Sequence, residues 1–174
     1  MSEYATGHIG FSTSELEIAS IRNWATAVNT WNIALDPHGG PVQPPNDGCR
    51  HCTGLVTIDP ELHTVSFTRD FYQLGQLSKY VQPGAVRIGS NNFVTYDTAP
   101  ITGNIASPGL DDVAFQNPDG TRVLLAYNNG IKPTTFSGED DGYYFRYSIG
   151  PGETATFIWK SPTGSRSHRS AARR

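Results

Sequence analysis

The feature that most constrains the fold of this chain is a change of residue pattern at Pro83-Gly84. From residue 68 or 69 to residue 81, apolar residues recur at the spacing of one helical face, and the Pro-Gly pair then ends the helix. After Gly84 the pattern changes to alternating apolar and polar residues separated by turn signals. The chain is therefore predicted to have a helix-and-strand part followed by an antiparallel β part.

The helix-and-strand part is predicted to contain an earlier helix over residues 12–28, with Ser14 and Glu17 as its capping box. The segment "TWNIALD" follows, and its short apolar run predicts a buried strand. Four prolines and three glycines within residues 37–48 exclude a regular element there. Beyond this loop "GLVTID" is predicted to be a strand, and "HTVSFT" either pairs with it or leads onward.

The antiparallel part contains five segments that predict strands: "AVRIGS", "VAFQN", "RVLLAYNN", "YYFRYSI" and "TATFIWK". Between the second and the third, "NPDG" at residues 117–120 predicts a hairpin turn in which Gly120 has a positive φ. The alternation within "YYFRYSI" predicts a half-buried strand, with two or three of its aromatic residues in the core.

Composition narrows the classes of partner. A chain of 174 residues suits one domain or two small ones, and its formal charge of −3 gives no reason to expect nucleic acid or an anionic membrane as a partner. No apolar run approaches the ~20 residues of a membrane-spanning helix, and no signal-peptide pattern precedes residue 15. Residues 161–174 are basic and lack apolar periodicity, so they are predicted to form a disordered tail.

The two cysteines, Cys49 and Cys52, stand close together in "GCRHCTG". A zinc site usually needs four ligands, and no second CxxC or HxxxH pattern supplies them. A thioredoxin-like motif would join a strand to a helix, whereas this pair follows a long loop. A small disulfide and a pair of free thiols are the states left open. The acidic clusters at residues 111–112 and 139–141 lack calcium-loop spacing and are predicted to lie in solvated loops, so no metal or other cofactor is expected.

Three segments carry a resemblance to a known family: "NWATAVNTWNIALDPHGGPVQPPNDGC", "CTGLVTID" and "FYQLGQLSKYVQPGAVRIGS". They contain a "WNxALxPxGGP" run and then a "(F/Y)YxLGxxSK(F/Y)…PGxxRI" run. In this order and spacing the runs resemble the glycoside hydrolase family 30 enzymes, which include the acid β-glucosidase that cleaves glucosylceramide. The resemblance extends from about residue 2 to about residue 160.

Members of that family fold as a (β/α)8 barrel with an attached β-sandwich and hydrolyse their substrates with retention. The resemblance implies an α+β chain in which residues 1–82 are the last two βα units of the barrel and residues 83–160 are the antiparallel β-sandwich. Residues 161–174 would be the tail. The first six βα units, and with them the acid/base glutamate, would lie outside this chain.

The resemblance also assigns site residues. "SEYATG" stands where the family's seventh strand ends, so Glu3 looks like the nucleophile. Trp31 and Asn32 stand at the matching place on the next strand, where an indole can wall a sugar face and an amide can bond a hydroxyl. A core role for Trp31 would be favoured without the family match. His38 lies in the loop "DPHGGP", where a peripheral substrate contact is expected at most.

The function that the resemblance implies is the retaining hydrolysis of β-linked glycosides or glycans, with glucosylceramide-like lipids, β-glucan and xylan left open. The alternative is a non-catalytic β-sandwich that binds carbohydrate or only stabilises a neighbour. Tyr143, Tyr144, Phe145 and Tyr147 could then line a sugar-binding face. Open strand edges predict that the chain self-associates or needs the missing part of the barrel. By resemblance the protein is secreted or periplasmic.

Overall fold

The computed structural model describes the backbone of residues 3–5 and, in full, residues 12–42, 52–91 and 109–160. Cys49 and the basic tail at residues 161–174 lie outside the described residues. The elements in chain order are β1 (Glu3–Ala5), α1 (Thr13–Arg22), β2 (Asn29–Trp31), β3 (Ala34–Leu35), β4 (Val56–Asp59), β5 (Thr64–Phe67), α2 (Arg69–Ser78), β6 (Val86–Ile88), β7 (Leu110–Gln116), β8 (Thr121–Asn128), β9 (Thr134–Asp140), β10 (Tyr143–Ile149) and β11 (Thr154–Lys160). The fold is α+β and mostly β, as predicted.

Two antiparallel units make up the sandwich. The first is a four-stranded sheet in the order β11-β8-β7-β6, and the second is the β9–β10 hairpin. The predicted "NPDG" turn joins β7 to β8: the amide of Asn117 donates to the carbonyl of Thr121 at 2.8 Å, and Gly120 has a φ of 81°. A glycine suits this turn because a positive φ costs it little.

Both helices pack on one face of the four-stranded sheet. Alternate residues of β7 and β8 project toward the helices and form the core with Ile18 of α1: Val113, Phe115, Val123, Leu125 and Tyr127. Ile21 and Leu77 pack against the same cluster. The helices therefore cover a face that would otherwise leave a large apolar area in water.

The opposite face of the sheet packs against the β9–β10 hairpin through aromatic rings. Phe157 of β11 meets Phe145 at a centroid distance of 4.7 Å and Phe136 at 5.7 Å. Gly138 is the register partner of Phe145, and a Cβ on it would penetrate the Phe145 ring. Tyr143, Tyr144 and Tyr147 remain 43%, 71% and 36% exposed, so the prediction that two or three aromatic residues of this strand are core was wrong. These strands form a two-stranded unit whose outer face is uncovered in the described part.

Helix α1 begins and ends differently from the prediction. Its N-cap is Ser12, whose hydroxyl accepts from the amide of Glu15 at 3.1 Å while the Glu15 carboxylate accepts from the amide of Ser12 at 2.7 Å. The predicted Ser14 instead hydrogen-bonds Thr154 at 2.8 Å, and Glu17 is fully buried. The helix ends at Arg22 because the Asn23 side chain caps the carbonyl of Ala19 at 2.9 Å.

The "TWNIALD" segment is not one buried strand. It forms the two short strands β2 and β3, and Trp31 and Ile33 are 45% and 74% exposed. Among the described residues β2 pairs only with β1, and β3 only with β4. A strand with one neighbour and no covering layer cannot bury its side chains, which explains the exposure.

Four of the five acidic residues predicted in loops lie in strands. Asp111 and Asp112 belong to β7 and are buried, while Glu139 and Asp140 end β9; Asp141 alone lies in a turn. Burial of the first two is tolerated because Asn129 donates to Asp111 at 2.8 Å and Arg22 contacts Asp112 at 3.1 Å. Within the described part of the chain, no helix is long and apolar enough to cross a membrane.

Candidate active site

The resemblance-based site residues fall on two neighbouring parallel strands. β1 and β2 pair with Glu3 beside Asn29 and Ala5 beside Trp31. Trp31 is the last residue of β2 and Asn32 follows it, so both stand at the carboxyl end of that strand. Glu3 lies two residues before the end of β1 rather than at its end, because Tyr4 and Ala5 continue the ladder with Thr30 and Trp31. The structure thus brings the two strands together.

Asn32 is held in place by the backbone that follows it. Its side-chain oxygen accepts from the amide of Ala34 at 3.3 Å, and its carbonyl accepts from the amide of Leu55 at 3.0 Å. The side-chain amide nitrogen of Asn32 donates no hydrogen bond among the residues that the structure describes. A donor held in this way can bond an incoming hydroxyl with little further loss of side-chain freedom.

The loop after β3 is organised by Asp36. One oxygen of its carboxylate accepts from the amides of His38 and Gly40, each at 2.8 Å. The hydrogen bonds from Gly40 and then from His38 lower the pKa of Asp36 below its ordinary value. Gly40 leaves no room for a Cβ, which would lie 2.5 Å from the other carboxylate oxygen. The sequence "DPHGGP" therefore forms a turn whose acid stays ionised.

A pocket of about 480 Å³ opens beside this loop. His38, Asp36 and Thr57 line it together with Cys52 and Thr53. Cys52 is disulfide-bonded, which decides for this residue between the two states that the sequence left open. Sequence reasoning gave Asp36 no role, although a short acidic side chain before Pro and Gly-Gly is a typical turn signal. Within the described ranges no three His, Cys, Asp or Glu residues converge as a metal site would require.

Chemically, this arrangement offers groups of the kinds that can contact a sugar. The end of β2 offers an aromatic wall and an amide donor, and the adjoining loop offers a fixed negative charge. Glu3 would add a carboxylate from the neighbouring strand. A retaining glycosidase needs a second carboxyl group about 5–5.5 Å from the nucleophile. The described residues of β2, β3 and their loops supply Asp36, which is committed to its own turn.

Comparison with known proteins agrees with the resemblance seen in the sequence motifs. Residues 84–157 match the family model for the glycosyl hydrolase family 30 beta sandwich domain. The chain is 35% identical over 109 residues to an endo-1,6-beta-D-glucanase of Neurospora crassa, covering 62% of this chain and 21% of that protein. It is 27% identical over 154 residues to the mouse lysosomal acid glucosylceramidase, covering 87% of this chain and 26% of that protein. The chain therefore spans about a fifth to a quarter of the curated relatives it matches.

Solved structures agree in fold. A solved endo-β1,6-glucanase superposes with a TM-score of 0.68 at 28% identity, covering 91% of this chain and 35% of that one. SrfJ from Salmonella typhimurium gives a TM-score of 0.69 at 22% identity, covering 92% of this chain and 34% of that one. Residues 84–157 are thus similar to the β-sandwich domain of glycoside hydrolase family 30, the family that the sequence motifs predicted.

Proposed function

We propose that this chain is the nucleophile-bearing part of a retaining β-glycosidase, with Glu3 as nucleophile and Trp31 and Asn32 as substrate contacts. The observation that carries the proposal is the parallel pairing of β1 with β2, which joins Glu3 and Trp31-Asn32 on adjacent strands. Barrel enzymes assemble their sites from the ends of neighbouring parallel strands. Residues 1–82 are accordingly proposed to be the last two βα units of a barrel, with the sandwich in residues 83–160.

In the proposed reaction the Glu3 carboxylate attacks the anomeric carbon, and the bond from that carbon to the leaving oxygen breaks. A general acid protonates the leaving oxygen, and water then releases the sugar from Glu3. We assign the acid to barrel strands outside this chain. Glu15 is part of the capping box of α1, and the Glu17 side chain is fully buried, so neither is free to act as the acid. The chain alone is therefore expected to turn over natural glycans weakly or not at all.

β-1,6-Glucan is the substrate that we propose among β-linked glycans. The three relatives named as endo-1,6-beta-glucanases are 35%, 30% and 34% identical to the chain, whereas the mouse glucosylceramidase is 27% identical. Action outside the reducing cytosol is proposed as well, since the disulfide at Cys52 suits an oxidising compartment.

The test uses a 2-deoxy-2-fluoro β-glucoside with a dinitrophenolate leaving group, which needs no acid assistance. The chain should become covalently glycosylated, and peptide mass spectrometry should locate the sugar on Glu3. Glu3→Gln should abolish the label, whereas Glu61→Gln, an exposed control in the turn after β4, should keep it. Labelling at another residue, equal labelling of Glu3→Gln, or no labelling of the folded chain at saturating reagent would contradict the proposal.

A further inference from the structure

The tip of the β9–β10 hairpin is a tight, well-defined turn. Asp141 and Gly142 form it with φ values of 51° and 84°, the left-handed pair that a two-residue hairpin favours. Asp140 and Tyr143 flank the turn and are register partners, so their side chains share one face of the hairpin. That face is the one that meets β11, because Phe145 lies two residues further along it and stacks on Phe157. The turn therefore holds Asp140 and Tyr143 at one end of the sandwich, where β10 lies beside β11.

A cleft of about 350 Å³ lies at this end of the sandwich, between β10 and β11. Its walls are mainly apolar and aromatic, from Tyr143 and Phe145 on one side and Ile158 and Trp159 on the other. Tyr143 is 43% exposed and Ile158 is 48% exposed, although the neighbouring rings are packed. This volume is at the small end of the roughly 300–1,000 Å³ typical of ligand pockets, which suits one or two sugar units.

Asp140 supplies the carboxylate that lines the cleft, and neighbouring groups offset its negative charge. The indole nitrogen of Trp159 donates to Asp140 Oδ2 at 2.8 Å, and Arg122 Nε lies 3.5 Å from the same oxygen. These contacts fix the Trp159 ring and offset the charge of Asp140, so the cleft offers little attraction to a cation. Glu139 and Asp141 stand next to Asp140 in the chain and disfavour a phosphate or other anion. The electrostatics therefore favour a neutral ligand.

From this combination we infer that the β10–β11 cleft binds a neutral carbohydrate, with Tyr143 as the principal contact. An aromatic ring packs on the apolar C–H face of a β-linked sugar, and its hydroxyl bonds the sugar's polar rim. The Tyr143 hydroxyl makes no hydrogen bond within the described part of the chain. Among the described strands, β10 and β11 each lie at the end of a sheet, so backbone groups along the cleft can also pair with sugar hydroxyls. The site lies in the sandwich and does not depend on catalysis by Glu3; only the choice of probe follows from the proposed substrate.

Isothermal titration of the full chain with a β-1,6-linked gluco-oligosaccharide tests the inference. Tyr143→Ala should raise Kd at least tenfold, and Tyr143→Phe should raise it less because the ring remains. Tyr72→Ala removes a similarly exposed tyrosine from α2, which is 59% exposed, and should leave Kd unchanged. Glu61→Gln, an exposed control in the turn after β4, should also leave Kd unchanged. Trp31→Ala, in the proposed active site, reports sugar binding at the end of β2 separately from binding in the cleft.

Two measurements keep the test decisive. Near-ultraviolet circular dichroism establishes that each variant is folded, and saturation-transfer NMR on the unaltered chain should show transfer to the sugar from tyrosine and tryptophan ring protons. Absence of binding at millimolar oligosaccharide, or equal Kd values for Tyr143→Ala and Tyr72→Ala, would overturn the inference. Loss of binding in Trp31→Ala alone would place the sugar at the end of β2 and would also overturn it. A change of sedimentation coefficient in Tyr143→Ala without a change in Kd would assign the cleft to strand pairing between copies.

Discussion

Replacing Glu17 with glutamine should make the chain more stable at neutral pH, although no contact is gained. Glu17 is a fully buried residue of α1, and neither of its carboxylate oxygens has a hydrogen-bond partner within the described residues. Burial raises the pKa of Glu17 from 4.5 to about 8 in the folded chain. The protonated carboxyl is therefore the form that the fold accommodates.

The sign follows from proton linkage. A group that binds its proton more tightly when folded stabilises the fold below its unfolded pKa, and that stability is lost as pH rises through the folded pKa. The window for Glu17 is therefore pH 4.5 to about 8. At about 1.4 kcal/mol per pH unit, ionisation costs roughly 3 kcal/mol at pH 7 and about 5 kcal/mol above pH 8. The pH 7 figure corresponds to roughly 6–12 °C in melting temperature for a chain of this size.

The assay is urea denaturation of both proteins from pH 4 to pH 9, analysed as a difference in unfolding free energy. Glutamine resembles the protonated acid, so the difference should be near zero at pH 4 and grow steadily through pH 8. Other groups with lowered pKa values, such as Asp36 and Asp119, titrate in both proteins and cancel. Glu61→Gln, at an exposed position, should follow the unaltered chain throughout. A flat difference curve for Glu17→Gln would refute the claim that Glu17 is buried without a partner.

Two further predictions concern packing and association. Gly138→Ala should destabilise the chain by about 1–3 kcal/mol, because the added methyl collides with the Phe145 ring. Thermal denaturation compares this variant with Gly89→Ala, where an added Cβ meets nothing within 4 Å. Equal melting temperatures of the two variants would count against the described packing. The chain should also self-associate at micromolar concentration through β1 and β2, which pair only with each other among the described strands, and through exposed residues such as Trp31 and Ile33. Unpaired strand edges recruit partners. Sedimentation equilibrium measures this association, and a clean monomer would show that the edges are protected.

Local sequence determined the features that depend on a few neighbouring residues. Helical spacing before Pro83 predicted α2, and the structure has it at Arg69–Ser78. Alternation and turn residues predicted β7, β8, β10 and β11 and the turn at Gly120. The ordered "WN…GGP" and "LG…SK" motifs predicted the family. Each of these signals acts over less than about 20 residues, so no knowledge of distant contacts was needed.

Other features were decided only by contacts between residues far apart in the chain. Ser14 is not a cap because Thr154, 140 residues away, takes its hydroxyl, and Asp112 is buried because Arg22, 90 residues away, neutralises it. The sequence did not predict β9, because its glycine and acidic residues are uncommon in strands. Its pairing with β10 nevertheless places Asp140 Oδ2 2.8 Å from the indole nitrogen of Trp159. A side chain's partner, rather than its own type, sets whether a polar group can be buried and which aromatic faces stay open. Those partners exist only once the sheets and helices have packed.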